Sequence, residues 1–182
     1  MPNYPIYTVA SAPEDSKWGL EQLQHAFGLV PNIAAVIANS PKLINSLVGV
    51  FHQVHSGSLT EPEIQIVLLT DAVFNSSNYA VAFHTALAHQ RGVSSDETDA
   101  VRERRMPKDK RFAALSELAK TLIEKRGHLN EHELDAFLTA GFTKEQVLEV
   151  IGIVAASTIT NYAGSVANPP LEAPFRQHAW QG

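Results

Sequence analysis

The sequence predicts an all-α protein, and three observations carry that expectation. Apolar residues recur at helical spacing through most of the chain, cap signatures punctuate them, and no interior segment alternates with the two-residue period of a strand.

Residues 1–13 hold three prolines with Tyr4, Ile6 and Tyr7 and read as an extended N-terminal arm. Ser40-Pro41 places a capping hydroxyl before a proline at the first helical position, opening a helix over about 41–56. Thr60-Glu61-Pro62-Glu63 is a capping box, in which hydroxyl and carboxylate satisfy each other's backbone N–H. The segment behind it, IQIVLLTDAVF, is almost wholly apolar and should be buried on most sides.

The polar run NSSN breaks that helix, since Asn and Ser compete for backbone hydrogen bonds. A second helix then runs over about 78–91, with Gly92 suited to its left-handed cap, so the two form an αα-hairpin. Downstream, Phe112, Leu115, Ala119, Leu122 and Ile123 keep helical spacing until Gly127 stops them. Asn130/Glu133 and Thr143/Gln146 are two further capping boxes. The last helix carries Val147, Leu148, Ile151, Val154, Ala155, Thr158, Ile159 and Tyr162 on one broad stripe. A tail over 166–182 places Phe175 and Trp180 among prolines. Such aromatics need cover, expected from a neighbouring subunit more than from the chain itself.

Composition bounds the function. A chain of 182 residues, 45% hydrophobic and 18% charged, is globular and sized for one domain. Fourteen Lys+Arg against nineteen Asp+Glu give a net charge of -5, which offers no general attraction to nucleic acid or anionic membrane. No apolar run approaches the roughly 20 residues of a bilayer span. The first residues lack the basic and apolar regions of a signal peptide, so a cytoplasmic location is expected by default. The basic cluster RERRMPKDKR over 102–111 sits among acidic neighbours and reads as a solvated linker between helices. The chain has no cysteine. Disulfides, thiolate metal sites and thiol nucleophiles are excluded by that count.

The stretch LTEPEIQIVLLTDAVFNSSNYAVAFHTALAHQRG resembles the core of the alkylhydroperoxidase AhpD and carboxymuconolactone decarboxylase superfamily. That core is a helical hairpin of the form E-x11-C-x-Y-C-x3-H. Aligned without a gap, the family glutamate falls on Gln65, the two cysteines on Ser77 and Ala80, while Tyr79 and His84 are kept. FGLVPNIAAVIANSPKLINSL is similar to the family's opening segment, and 111–162 to the second half of its longer members. The likeness spans about residues 27–175 in one consistent order. Where some relatives read NYxNH, this chain reads NYAGS, with Gly164 and Ser165 at the last two positions.

The resemblance implies an AhpD-like helical bundle. It also implies chemistry in which the first thiolate attacks a peroxide, the second cysteine resolves it, and Glu and His relay protons. Ser77 keeps the place but not the nucleophile, because a hydroxyl is far harder to ionise than a thiol near pKa 8.5. Ala80 resolves nothing, and Gln65 cannot shuttle a proton as a carboxylate does. Dithiol peroxidase activity is therefore expected to be absent.

A Ser77–His84 hydrolase is disfavoured, since seven residues of helix put the pair about 10 Å apart along the axis and no nucleophile elbow exists. Ser77 reads as a helix N-cap. His84 keeps two readings: a surviving acid/base or ligand donor in a pocket, assisted by Gln65, Ser77 and Tyr79, or a structural histidine bonded across the hairpin to Gln65. Decarboxylase-type relatives do non-redox chemistry on this scaffold, which keeps the first reading open. The alternatives are a non-catalytic oligomeric binder of a small molecule, or a metal site from His52, His55 and His84, the first two spaced i, i+3 on one helix. No cofactor is expected. The expected partners are an unidentified small molecule and further copies of the chain, with no nucleic acid and no membrane.

Overall fold

The computed structural model describes residues 4–182, which form nine α-helices and one 3-10 helix, with no strand among the described residues. Residues 4–8 enter as the extended arm, residues 9–12 form a turn closed by Ala12 N donating to Thr8 O at 3.0 Å, and Met1 to Asn3, the expected start of the arm, lie outside the described residues. The helices are α1 (Glu14–Phe27), α2 (Asn32–Ile37), α3 (Pro41–Val54), α4 (Glu61–Phe74), α5 (Asn78–Gln90), α6 (Ser95–Arg102), α7 (Lys110–Glu124), α8 (Glu131–Thr139) and α9 (Lys144–Ala167), followed by the 3-10 helix Ala173–His178.

The apolar segment after the capping box becomes α4, the centre of the bundle, packed against α5, α6, α7 and α9. Every residue from Glu63 to Val73 is buried, so this helix has no solvent face beyond its ends. The capping box closes as expected: Thr60 N donates to Glu63 Oε2 at 2.8 Å. The other Glu63 oxygen accepts from Arg111 Nε at 2.7 Å, and that guanidinium lies 4.0 Å above the Phe142 ring. Burial raises the Glu63 pKa, but the Thr60 N–H, Arg111 and the Thr60 hydroxyl outweigh it and hold the carboxyl below its ordinary range.

Three apolar clusters result. One surrounds α4 with Val81, Leu115, Val150 and Ile153; one joins α1, α2 and α3 through Leu20, Ile33 and Ile44; a small one joins Phe83 to Phe175.

The structure corrects four expectations. The basic cluster is not wholly linker: Arg102 ends α6, and Lys110 with Arg111 opens α7. The apolar stripe of the last helix is turned largely outward. Val147, Val150, Ile153, Ala156, Ser157 and Asn161 face the core, while Leu148, Ile151 and Tyr162 stand in solvent. A helix apolar on both sides gives periodicity no means of choosing the buried one. With a mean hydropathy of 1.4 over its most apolar window, α9 is also the one helix among the described residues long and apolar enough to cross a membrane.

The tail expectation changes most. α9 continues to Ala167, Asn168 caps it in the left-handed region at φ 47°, and Pro169-Pro170 leads the chain back over α5. Phe175 is buried edge-on against Phe83, with ring centroids 4.9 Å apart. Arg102 donates to the carbonyls of His178 at 3.0 Å and Ala179 at 3.3 Å, and Trp180 Nε1 returns a bond to Arg102 O at 3.1 Å. The chain's own domain buries Phe175 and half-buries Trp180, where cover was expected from a neighbouring subunit more than from the chain itself. The tail has partners because Arg102 already offers its donors where the chain returns.

Candidate functional site

The αα-hairpin forms as expected, with α4 and α5 joined through residues 75–77. Ser76 takes φ 52° in that turn, a left-handed conformation that costs a non-glycine residue some strain. Ser77 occupies the N-cap position of α5, but its side chain makes no capping bond. Its hydroxyl instead faces α9, 3.9 Å from where a Cβ on Gly164 would stand.

Gln65 on α4 and His84 on α5 are both buried, and His84 Nδ1 lies 3.1 Å from Gln65 Oε1. An amide oxygen only accepts, so Nδ1 carries the proton and donates. Nε2 is then a bare acceptor, with no hydrogen-bond partner among the described residues. Burial, and after it the charge of His55, pushes the His84 pKa down to about 3. The ring is neutral throughout the physiological range.

His84, Tyr79 and Ala80 line one cavity of about 50 Å³ at the meeting of the three apolar clusters. Phe27, Phe51 and Phe83 supply aromatic walls, and Thr160 is the other polar side chain at its edge. Gln65 and Ser77 stand outside that lining. Gln65 acts on the cavity only by orienting the His84 ring.

Tyr79 turns its ring to the cavity and its hydroxyl away, donating to Glu172 Oε1 at 2.8 Å. The same carboxylate oxygen accepts from Asn32 N at 2.5 Å, and Tyr79 Oη accepts from Ile33 N at 3.4 Å. Burial first, then the Glu172 charge and hydrogen bond, raise the Tyr79 pKa far above its ordinary value. Glu172 was missed by the sequence reading. It sits ninety-three residues from Tyr79 on an apparently irregular tail, and only the pairing of a tail carboxylate with a buried Tyr could have drawn notice.

Asp71 was missed too, although a lone charge inside IQIVLLTDAVF was a visible signal. It is fully buried; Asn161 Nδ2 donates to Oδ2 at 2.6 Å and Asn75 Nδ2 to Oδ1 at 3.0 Å. Burial lifts its pKa to about 6, against the pull of hydrogen bonds from Ser157, Asn75 and Asn161. Asn161 Oδ1 has no partner in this buried network.

The histidines of the metal reading are not gathered. His55 Nδ1 lies 2.8 Å from Glu61 Oε1 and its ring stacks on Phe51, while His52 is exposed on α3. No group of three His, Cys, Asp or Glu among the described residues is arranged to hold a metal ion.

Comparison with solved structures shows that this helical arrangement is the AhpD-like fold, over nearly the whole chain. A peroxidase-related protein with an alkylhydroperoxidase AhpD core, from Ralstonia eutropha JMP134, superimposes with a TM-score of 0.84 at 21% identity, covering 96% of this chain and 95% of its own. The debrominase Bmp8, as a C82A variant in complex with 2,3,4-tribromopyrrole, gives a TM-score of 0.82 at 15% identity, covering 98% and 96%. A peroxidase-related protein from Silicibacter sp. TM1040 gives 0.80 at 16% identity, covering 96% and 92%. No protein-family model matches the chain, and no curated protein matches it.

Proposed function

We propose that this chain is a thiol-free relative of the AhpD-type proteins that binds a small, neutral, largely apolar molecule bearing one N–H or O–H donor. The observation that supports this reading is the state of His84. It is enclosed, neutral, and held by Gln65 so that its one free polar atom is an acceptor beside an aromatic-walled cavity. A charged ligand would enter with no counter-charge along that lining, at a large desolvation cost. At about 50 Å³ the cavity is smaller than the ~150 Å³ that holds a benzene ring. A ring-sized ligand therefore requires the wall to yield, and the half-buried Phe27 is better placed to turn than Phe83, which Phe175 holds.

Acid/base catalysis is the second reading, supported by the similarity to a debrominase solved with a brominated pyrrole. Against it, a base whose conjugate acid has a pKa of about 3 is far from the neutral value that serves proton transfer best.

Two experiments test the proposal. Calorimetric titration with pyrrole and 2,3,4-tribromopyrrole should show saturable binding, with the ligand recovered at unchanged mass. His84→Leu should weaken it roughly tenfold, the value of one lost hydrogen bond. Equal affinity in the variant would overturn the assignment of Nε2, and bromide released in the presence of a dithiol would favour catalysis. In the second experiment, hydrogen peroxide and cumene hydroperoxide supplied with dithiothreitol should be consumed no faster than in the blank. Turnover above it would refute the loss of thiol chemistry.

A further inference from the structure

We propose that the C-terminal segment over 172–182 is a strap with an acid-sensitive latch. Protons taken up by His89 and His178 beside the Arg102 guanidinium release its far end and loosen the Phe83 wall of the His84 cavity. The strap is held at two points. At the near end Glu172 accepts from Tyr79 Oη at 2.8 Å and from Asn32 N. At the far end Arg102 donates to the carbonyls of His178 at 3.0 Å and Ala179 at 3.3 Å, and its own carbonyl accepts from Trp180 Nε1. Between the two points the 3-10 helix packs on α5 and presses Phe175 against Phe83. The far end is the one that carries titratable rings.

Arg102 is a fixed cation. Its guanidinium also donates to the buried Thr85 hydroxyl at 3.0 Å, its side chain is 17% exposed, and Asp99 is 3.8 Å from Nε. The half-buried rings of His89 and His178 meet edge to face beside it, with centroids 5.1 Å apart. His89 Nε2 lies 2.9 Å from Thr98 Oγ1, whose one proton goes to the Ser95 carbonyl at 3.1 Å. Nε2 therefore carries the hydrogen of the neutral ring, and an added proton goes to Nδ1. Neither ring has a carboxylate partner among the described residues. On the strap Glu172 faces Tyr79 and Arg176 faces Leu171 O; on α5 Arg91 faces Glu61. On α6 Asp99 faces Arg102 while Asp96 and Glu97 hold Lys108, and beyond it Glu103 pairs with Arg105. Two added protons thus set three cations together, with main-chain bonds and the Trp180 contact alone to hold the strap's end. Burial first, then His89 and Arg102, lower the His178 pKa below its ordinary value. The docked strap binds a proton less tightly than the released one, so the latch is complete above the ordinary histidine value of about 6.5 and is lost as pH falls below it. Asp71 draws the core the other way, because its raised pKa favours the folded state in acid. The release is therefore local.

Trp18→Phe leaves Trp180 as the single indole of the full chain. Between pH 8 and pH 5 its emission should shift to the red and its quenching by acrylamide should rise, while the helical circular dichroism stays constant. Adding His89→Gln and His178→Gln, which keep a donor for Thr98 but take up no proton, should leave Trp180 shielded throughout. His178→Lys, charged at every pH, should expose it already at pH 8. A parent protein without the transition, or a double glutamine variant that keeps it, overturns the latch. Its effect on the cavity rests on the proposed binding of a small apolar molecule, and calorimetric titration with pyrrole reads it. Affinity should fall over the same pH range in the parent protein and stay level in the double variant. His84 supplies no such change, being neutral down to a pKa of about 3. Equal pH dependence in both proteins refutes the link from latch to cavity. A Trp180 transition without pyrrole binding at any pH refutes the ligand reading and upholds the latch.

Discussion

Replacing Asp71 by asparagine should raise the unfolding free energy at pH 8 by about 3 kcal/mol and leave it nearly unchanged at pH 4. Asp71 is fully buried on α4 without a cation beside it, and burial lifts its pKa from the ordinary carboxyl range to about 6. The folded state therefore holds a proton at pH values where the unfolded chain has released it. Stability from this group is complete below about pH 4, falls as pH rises to about 6, and stays lost above. A shift of roughly two units corresponds to about 3 kcal/mol. Asparagine retains the acceptor for Asn75, and its NH2 can donate to Asn161 once that amide turns its partnerless Oδ1 inward; carrying no charge, it should abolish that slope. Urea titrations of both proteins at pH 4, 6 and 8 measure it. A stability gain independent of pH, or none at pH 8, contradicts the account. Asn161→Ala should do the opposite, extending the loss of stability to higher pH, because Asp71 without its 2.6 Å donor keeps its proton longer.

Most of the fold was legible because caps are local. The bonds from Ser40 to Leu43 N, Asn130 to Glu133 N and Thr143 to Gln146 N each join residues three apart, and the helices start where those residues stand. The Gln65–His84 pair was legible for another reason. Two residues nineteen apart across a hairpin with a three-residue turn have little freedom over what they meet. What stayed hidden depends on long-range placement. α6 went unread, apart from Arg102 in the basic cluster, because its first turn, SDET, shows polar and acidic residues before Ala100 and Val101 reach the core. The orientation of α9 was hidden because its two sides are nearly equally apolar, and only packing against α3 and α4 chooses between them. The Tyr79–Glu172 bond spans half the chain. No periodicity carries such a contact.

The C-terminal segment should prove to be a structural wall of the cavity, and Phe175→Ala should reveal this by costing about 3–5 kcal/mol. Phe175 fills the space against Phe83, and Phe83 in turn meets Phe27 at 5.3 Å between ring centroids, so one ring supports two others that line the cavity. Removing it leaves a void beside Phe83 that neighbouring helices, fixed by the core around α4, close only in part. For a domain of this size the loss corresponds to a fall in Tm of roughly 6–20 °C. Glu172→Gln separates packing from polarity at the same segment. It keeps Phe175 in place and still offers an acceptor to Tyr79 and Asn32, but removes the charge that helps raise the Tyr79 pKa. Its cost should be smaller than that of Phe175→Ala, and ultraviolet titration should show the Tyr79 phenol ionising at lower pH than in the parent protein. If Phe175→Ala unfolded at the parent temperature, the tail would be resting on the domain without supporting the cavity. The ring contacts place that support at Phe83, one residue before His84, so loosening this wall should also weaken ligand binding in calorimetric titration.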